Sequence, residues 1–186
     1  TLLKLKDDLL RHRNHPALAL RKHPRDIKWE EMGQFDVILV DPPWMEYKNR
    51  VMEGKSLLQN SSMSMLLPDI FNSIDNDDER LEGWTKEDIC TLPIKQISKT
   101  PSFLFLWVGS SHLDDGRWLL DNWGFKRCED VVWLKTNKHK KYHLPANNKT
   151  FLQRVKEHCL VGVKGDVKRA SDSHIIHANI DTDVIV

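Results

Sequence analysis

The chain has 186 residues, which is enough for one domain with a substantial hydrophobic core. With 40% hydrophobic and 30% charged residues, its composition is that of a globular protein and excludes a disordered one. The formal net charge of +1 gives no bulk attraction for nucleic acid, so any such binding must depend on local basic clusters. The three cysteines are widely spaced, which favours a reducing compartment and argues against a disulfide framework or a zinc knuckle. No apolar run approaches the length of a transmembrane helix.

Strands that alternate with helices are predicted from the hydrophobic pattern. The leucines of residues 1–13 predict an amphipathic helix, and residues 17–34 form a linking passage. Further helices are predicted after Thr85, with Asp88 as its capping partner, and over residues 112–123. Four apolar strands and a shorter final element are predicted over residues 35–40, 102–108, 130–135, 157–163 and 183–186. The expected fold is α/β, with a mostly parallel, twisted sheet flanked by helices.

The long polar segment over residues 45–83 differs from the rest of the chain, because its hydrophobic residues show no sustained period. A connection of this length after a strand end is typical of an insertion, a lid or a binding loop. We predict a partly disordered insertion with a short, weak helix near residues 68–74.

The motif Asp41-Pro42-Pro43-Trp44 directly follows the first predicted strand. Pro42 has no N–H donor and Pro43 biases Pro42 towards an extended conformation, so the strand must end in a stiff loop. In open α/β sheets the carboxyl ends of the strands are where ligands bind. An acid beside an aromatic ring at such an edge suits a planar ligand. An acid at a strand end can also simply cap a turn, and the residues alone leave both interpretations open.

An aromatic base with an exocyclic amine is a planar ligand that matches the groups of this loop. The Asp41 carboxylate and the Pro42 carbonyl would accept its two N–H bonds and orient the nitrogen. Trp44 is predicted to stack on the ring, with a contribution of roughly 1–3 kcal/mol. Methyl transfer from a sulfonium donor would then require mainly alignment.

The sequence resembles the MT-A family of eukaryotic methyltransferases that make N6-methyladenine. The resemblance rests on the Asp-Pro-Pro-Trp motif and on segments in family order over residues 102–107, 122–130, 133–138 and 156–165. It implies a Rossmann-like class I methyltransferase domain over residues 25–186, after a helix and linker over residues 1–24. It also implies S-adenosyl-L-methionine as donor, a nuclear heterodimer of two paralogous subunits, and a catalytic motif formed by Asp41, Pro42, Pro43 and Trp44.

Residues 167–183 are most similar to the RNA-binding, scaffold-type branch of that family. Animal members of this branch carry Glu-Pro-Pro-Leu in place of the motif, whereas plant members keep Asp-Pro-Pro-Trp, so the motif leaves open which subunit is active. The resemblance implies that Arg127, Lys168 and Arg169 line an RNA groove and contact phosphates. It also implies that most of the donor pocket lies beyond Val186, so we expect an incomplete S-adenosyl-L-methionine pocket here. The alternative is a catalytic subunit that methylates adenine in RNA or in DNA, which offers the same amine.

Other polar residues give weaker signals. His174 and His177 lack a third ligand, so no metal site is predicted. His158 and Cys159 are neighbours in a predicted strand, so their side chains should point to opposite faces of the sheet rather than form a Cys–His pair. We interpret them, and the apolar residues of 103–107, as core and sheet residues.

Overall fold

A computed structural model describes residues 18–49, 83–135, 154–166 and 182–186, with single positions at 4, 5, 8, 11, 52 and 152. Its centre is a five-stranded sheet of order β1-β2-β4-β3-β5. The strands are β1 (Phe35–Val40), β2 (Ser98–Gly109), β3 (Lys126–Leu134), β4 (Lys156–Lys164) and β5 (Val184–Ile185). The β1–β2 and β3–β5 pairs are parallel, whereas β4 is antiparallel to both of its neighbours. The sheet is therefore mixed, with β4 alone running against the other four described strands.

The described helices are short. They are α1 (Lys86–Cys90), α2 (Ile94–Ile97) and α3 (Leu113–Asn122), with 3-10 turns over Pro24–Asp26 and Trp29–Glu31 and a helical stretch over residues 45–49. The predicted start of α1 is confirmed, because the Thr85 hydroxyl accepts from the Asp88 N–H at 3.2 Å and the Asp88 carboxylate accepts from the Thr85 N–H at 3.0 Å. The Asp88 carboxylate accepts from the Thr85 N–H and also from the Thr85 hydroxyl, at 2.8 Å, and these two hydrogen bonds lower the pKa of Asp88.

The predicted strands are all present. The start of β2 differs from its predicted position, and the cause of this difference is visible. The sequence placed its start after Pro101, whereas β2 begins at Ser98 and runs through the proline. Phe35 pairs with Ser98 but Val37 pairs with Phe103, so the register shifts where Pro101 lies. A proline, which has no N–H to offer a neighbouring strand, is tolerated at such an irregularity.

One face of the sheet carries the core. Leu104, Leu106 and Val108 of β2 are buried together with Leu119 and Leu120 of α3. The opposite face, which we call the open face, has no described helix packed on it, and Leu39 there is 65% exposed.

The prediction that all of residues 103–107 are core is therefore wrong in part. Side chains alternate along a strand, and Phe103, Phe105 and Trp107 point to the open face, where they are only half-buried.

Several predictions concern residues outside the described part of the chain. Of the predicted helix over residues 1–13, positions 4, 5, 8 and 11 are helical and exposed. Most of the predicted insertion, including the weak helix near residues 68–74, lies outside the described residues, as do His174 and His177. Within the described ranges, no helix is long and apolar enough to cross a membrane.

Candidate functional site

The motif loop, residues Asp41-Pro42-Pro43-Trp44, begins where β1 ends and is tied to the chain just before α1. The Trp84 N–H donates to the Pro43 carbonyl at 2.7 Å, and the Met45 N–H donates to the Trp84 carbonyl at 2.9 Å. The Pro42 carbonyl accepts the Trp44 N–H at 2.9 Å. A carbonyl oxygen has two lone pairs, so that of Pro42 keeps one for a ligand.

Trp44 lies behind the loop rather than beside a ligand. Its side chain is 1% exposed, and its indole N–H donates to the Trp107 carbonyl at 2.9 Å. Its ring stacks on the imidazole of His112, with centroids 5.1 Å apart and planes 12° apart. The prediction that Trp44 stacks on a base is therefore wrong, because the ring is already enclosed on the core side of the loop. Its role in this structure is to anchor the loop to β2.

Asp41 is exposed at the carboxyl edge of the sheet. Val40 pairs with Leu106, which places Asp41 beside Trp107. Partial burial of the carboxyl group and, secondly, the negative charge of Glu157 raise its pKa above 3.8. The folded chain therefore binds the Asp41 proton more tightly than the unfolded chain does, and ionisation of this group reduces stability as the pH rises.

An aromatic surface on the open face of the sheet borders Asp41. Trp107 and Trp133 meet edge to face, with centroids 6.3 Å apart, and Trp133 is 41% exposed. The Lys135 ammonium lies 5.2 Å from the centre of the Trp133 ring. Exposed aromatic rings with a nearby cation suit the bases and phosphates of a single-stranded nucleic acid.

This pair of tryptophans was not predicted to belong to the site. A signal was present, since each tryptophan stands at the carboxyl end of an apolar strand that is parallel to the motif strand. Their proximity, however, depends on β4 lying between β2 and β3, and this strand order is not visible in the sequence.

A buried carboxylate, that of Glu157, lies behind the aromatic surface. It accepts hydrogen bonds from the Lys135 ammonium at 2.7 Å and from the Tyr47 hydroxyl at 3.2 Å. Both contacts offset the cost of burying its charge. The network thus fixes a negative charge close to Asp41.

His158 and Cys159 behave as predicted, as separate sheet residues. The His158 imidazole lies 2.9 Å from the Asp130 carboxylate, whereas Cys159 pairs with Trp107 on the open face. Burial, followed by the charges of Asp130 and Asp41, raises the pKa of the Cys159 thiol to about 11. A thiol with this pKa is not an activated nucleophile.

Arg127 is exposed on β3, away from Asp41. It pairs with Gly162, and a side chain built at Gly162 would meet Leu120 of α3, so this position belongs to the face that carries α3. Three strand spacings, about 14 Å, separate β3 from β1. The structure therefore does not bring Arg127 together with the motif loop, and Lys168 and Arg169 lie outside the described residues.

A cavity of about 760 Å³ opens beside the motif loop. Its walls include the apolar side chains of Trp29, Trp84, Ile94 and Ile97. Asp41 is the only acid among the described lining residues. The cavity can therefore take an apolar or aromatic group next to a single carboxylate.

Proteins of similar sequence extend these observations. Over its whole length the chain is 44% identical to the "N6-adenosine-methyltransferase non-catalytic subunit MTB" of Arabidopsis thaliana and 40% identical to the "N(6)-adenosine-methyltransferase non-catalytic subunit METTL14" of Danio rerio. Over 87% of its length it is 32% identical to a "Probable N(6)-adenosine-methyltransferase MT-A70-like" protein of Oryza sativa subsp. japonica. The chain spans 22%, 36% and 18% of the lengths of these three relatives.

The family assignment rests on the motif strand and everything that follows it. The MT-A70 family model matches residues 35–186, which include the motif loop, β1 to β5 and the aromatic surface beside Asp41. The mixed, helix-flanked sheet agrees with the Rossmann-like methyltransferase fold that the sequence predicted. The chain belongs to the MT-A70 family.

Proposed function

We propose that this chain is part of the RNA-binding, scaffold-type subunit of a heterodimeric N6-adenosine RNA methyltransferase complex. The two relatives named as non-catalytic subunits are 44% and 40% identical to it, compared with 32% for the rice protein. The position of Arg127 carries the proposal. Arg127 is exposed on the face of the sheet away from Asp41. It can therefore hold an RNA phosphate without directing the RNA strand towards this chain's own motif loop.

The proposed partner is a paralogous methyltransferase subunit, and the proposed substrate is RNA. The names of the relatives refer to adenosine, the ribonucleoside, which favours RNA over DNA. Competition between RNA and DNA oligonucleotides of the same sequence tests this choice. A nuclear location is proposed on the family resemblance, and the widely spaced cysteines agree with a reducing compartment.

S-adenosyl-L-methionine is the proposed methyl donor of the complex, and the cavity beside the motif loop fits only part of it. The apolar walls suit an adenine ring, and Asp41 suits a cationic group of the donor. The ribose hydroxyls need further acceptors, and Asp41 is the only carboxylate in the described lining. We propose that the partner subunit holds the donor that supplies the methyl group.

Photo-crosslinking tests where the donor binds. When the full-length two-subunit complex is irradiated with radiolabelled S-adenosyl-L-methionine, we expect the label on the partner subunit, since Asp41 is the only carboxylate among the described residues that line this chain's cavity. Excess unlabelled donor serves as the control for specific labelling. Specific labelling of this chain would contradict the scaffold-type role.

The geometry at Asp41 supports a second candidate function, in which this chain catalyses the transfer itself. Asp41 and the free lone pair of the Pro42 carbonyl would accept the two N–H bonds of an adenine amine. The base would stack on the half-buried ring of Trp107, which lies beside Asp41, rather than on Trp44. Pro43 and Trp44 would keep the loop in place through their bonds to Trp84 and β2.

The substitution Asp41→Asn separates the two functions. In the scaffold-type role we expect an unchanged methylation rate for the full-length complex and a higher Tm at neutral pH. The Tm rises because the raised pKa of Asp41 makes its ionised form destabilising at every pH well above 3.8, and asparagine carries no charge.

Calorimetry and a single-turnover methylation assay provide the two measurements. Glu129→Gln, which removes an exposed acid from β3, is the matched control and should leave Tm unchanged. A fall in rate of about 100-fold or more with assembly intact would contradict the scaffold-type role and establish the second candidate.

A further inference from the structure

The anchor of the motif loop is completed by a histidine that neither the motif nor the family match identifies. His112 stands just before α3, and its imidazole lies nearly parallel to the Trp44 indole, with centroids 5.1 Å apart. The Nδ1 atom lies 2.8 Å from a carboxylate oxygen of Asp115, one turn along α3. The Asp115 carboxylate thus orients the imidazole at its Nδ1 edge, and the Trp44 indole packs against one face of the imidazole ring.

Four segments place charged side chains around His112. On its Nε2 side, a Glu46 carboxylate oxygen from the helical stretch over residues 45–49 lies 3.5 Å away. Arg154, which precedes β4, donates to that carboxylate and to the Ser111 hydroxyl. On the other side, Lys86 of α1 lies 3.2 Å from Asp115. The hydrogen bond from His112, followed by that from Lys86, lowers the pKa of Asp115.

A displacement of the Trp44 backbone is transmitted to Asp41 more directly than through an ordinary turn, because the two residues between them are prolines. Their φ angles are fixed by the pyrrolidine rings, so the turn cannot easily absorb a displacement. Within the described part of the chain, the Trp44 ring is held outside its packing by the hydrogen bond to the Trp107 carbonyl and by the stack on His112.

We propose that His112 is a positioning residue for the motif loop: its imidazole holds Trp44 against β2 and thereby fixes where the carboxyl group of Asp41 stands. This role does not depend on which subunit of the complex carries out the chemistry.

Nuclear magnetic resonance of the full-length protein tests the proposal at both ends of the loop. The Trp44 ring is followed by 5-fluorotryptophan labelling and assigned with Trp44→Phe, and Asp41 by carboxyl-13C aspartate, assigned with Asp41→Asn. In His112→Ala we expect the Trp44 resonance to shift and broaden, because the indole loses the ring on which it stacks. We also expect the Asp41 titration to move down towards its ordinary range, because the carboxyl group is then less buried and no longer held close to Glu157.

His112→Phe keeps a flat ring on Trp44, so it separates the stack from a general loss of structure. We expect it to restore a sharp Trp44 resonance and the wild-type titration of Asp41. His23→Ala is the matched control, since that imidazole contacts Trp84 rather than Trp44 and should leave the Trp44 resonance unchanged.

Two results would overturn the proposal. One is a Trp44 resonance that keeps its wild-type position and width in His112→Ala, and the other is an unchanged Asp41 titration in a folded His112→Ala protein. RNA affinity, measured on the same variants, tests the proposed function separately. It should be unaffected because Arg127 lies at the start of β3, at the opposite end of the sheet from His112, which follows the end of β2.

Discussion

Reversing the charge of Arg127, Lys168 and Arg169 to glutamate should weaken RNA binding by the full-length complex by about 100-fold. Each of the three is proposed to contact a phosphate. The three losses of about 1 kcal/mol of binding free energy, one for each charge-assisted contact, together correspond to that factor. The slope of log affinity against log salt should become shallower by about 2, since roughly 0.7 is lost for each single-stranded phosphate contact. Fluorescence anisotropy over a series of salt concentrations measures both quantities.

A matched triple variant controls for the change in net charge. Arg25, Lys28 and Arg117 are exposed cations that face Asp88, Glu31 and Asp114, respectively. Their reversal to glutamate should leave the salt slope unchanged, apart from a small general effect of charge. An unaltered slope in the Arg127, Lys168 and Arg169 variant would count against an RNA groove on this chain and therefore against the scaffold-type role.

Gly83→Ala should lower the free energy of unfolding by about 1–3 kcal/mol, which corresponds to a fall in Tm of about 5 °C. A Cβ atom at this position would lie 2.6 Å from the Met45 sulfur and 3.0 Å from the Met45 Cα. The sulfur can move at the end of a flexible side chain, but the Cα can move only with the backbone that follows the motif loop. The substitution should therefore also lengthen the hydrogen bonds between Trp84 and the loop.

Gly33→Asn provides the control for this effect. Gly33 has a φ of +74°, and a Cβ there would meet nothing within 4 Å. Asparagine tolerates the left-handed conformation better than most residues, so only a small change in Tm is expected. Differential scanning calorimetry compares the two variants. A Gly83→Ala protein as stable as the wild type would show that the close approach of Gly83 to Met45 is not a constraint on the loop.

The elements of the fold were largely predictable because their signals are local. An apolar run identified β1, and Thr85 with Asp88 marked the start of α1, since each pattern acts over a few neighbouring residues. The start of β2 was not predictable, because the strand passes through Pro101 only where its register with β1 shifts. That register depends on a pairing between distant parts of the chain.

For the candidate site, only the position of the backbone was predictable from the sequence. The motif placed Asp41 at a strand end, but the direction of the Trp44 ring depends on the Trp107 carbonyl and on His112, which are distant in sequence. For the same reason the aromatic surface of Trp107 and Trp133 could not be predicted. Local pattern shows where a loop lies, and tertiary packing decides which of its side chains meets a ligand.

The backbone bridge between Trp44 and Trp84 has a consequence for how sequences of this kind can vary in length. The bridge closes the intervening chain into a ring whose ends are fixed beside Asp41. The entropy lost on closing such a ring grows only with the logarithm of its length, so a doubling costs about 0.6 kcal/mol. Closure entropy alone therefore sets little limit on the number of residues between Trp44 and Trp84, whereas an insertion at Gly83 or Trp84 would displace the backbone hydrogen bonds that close the ring.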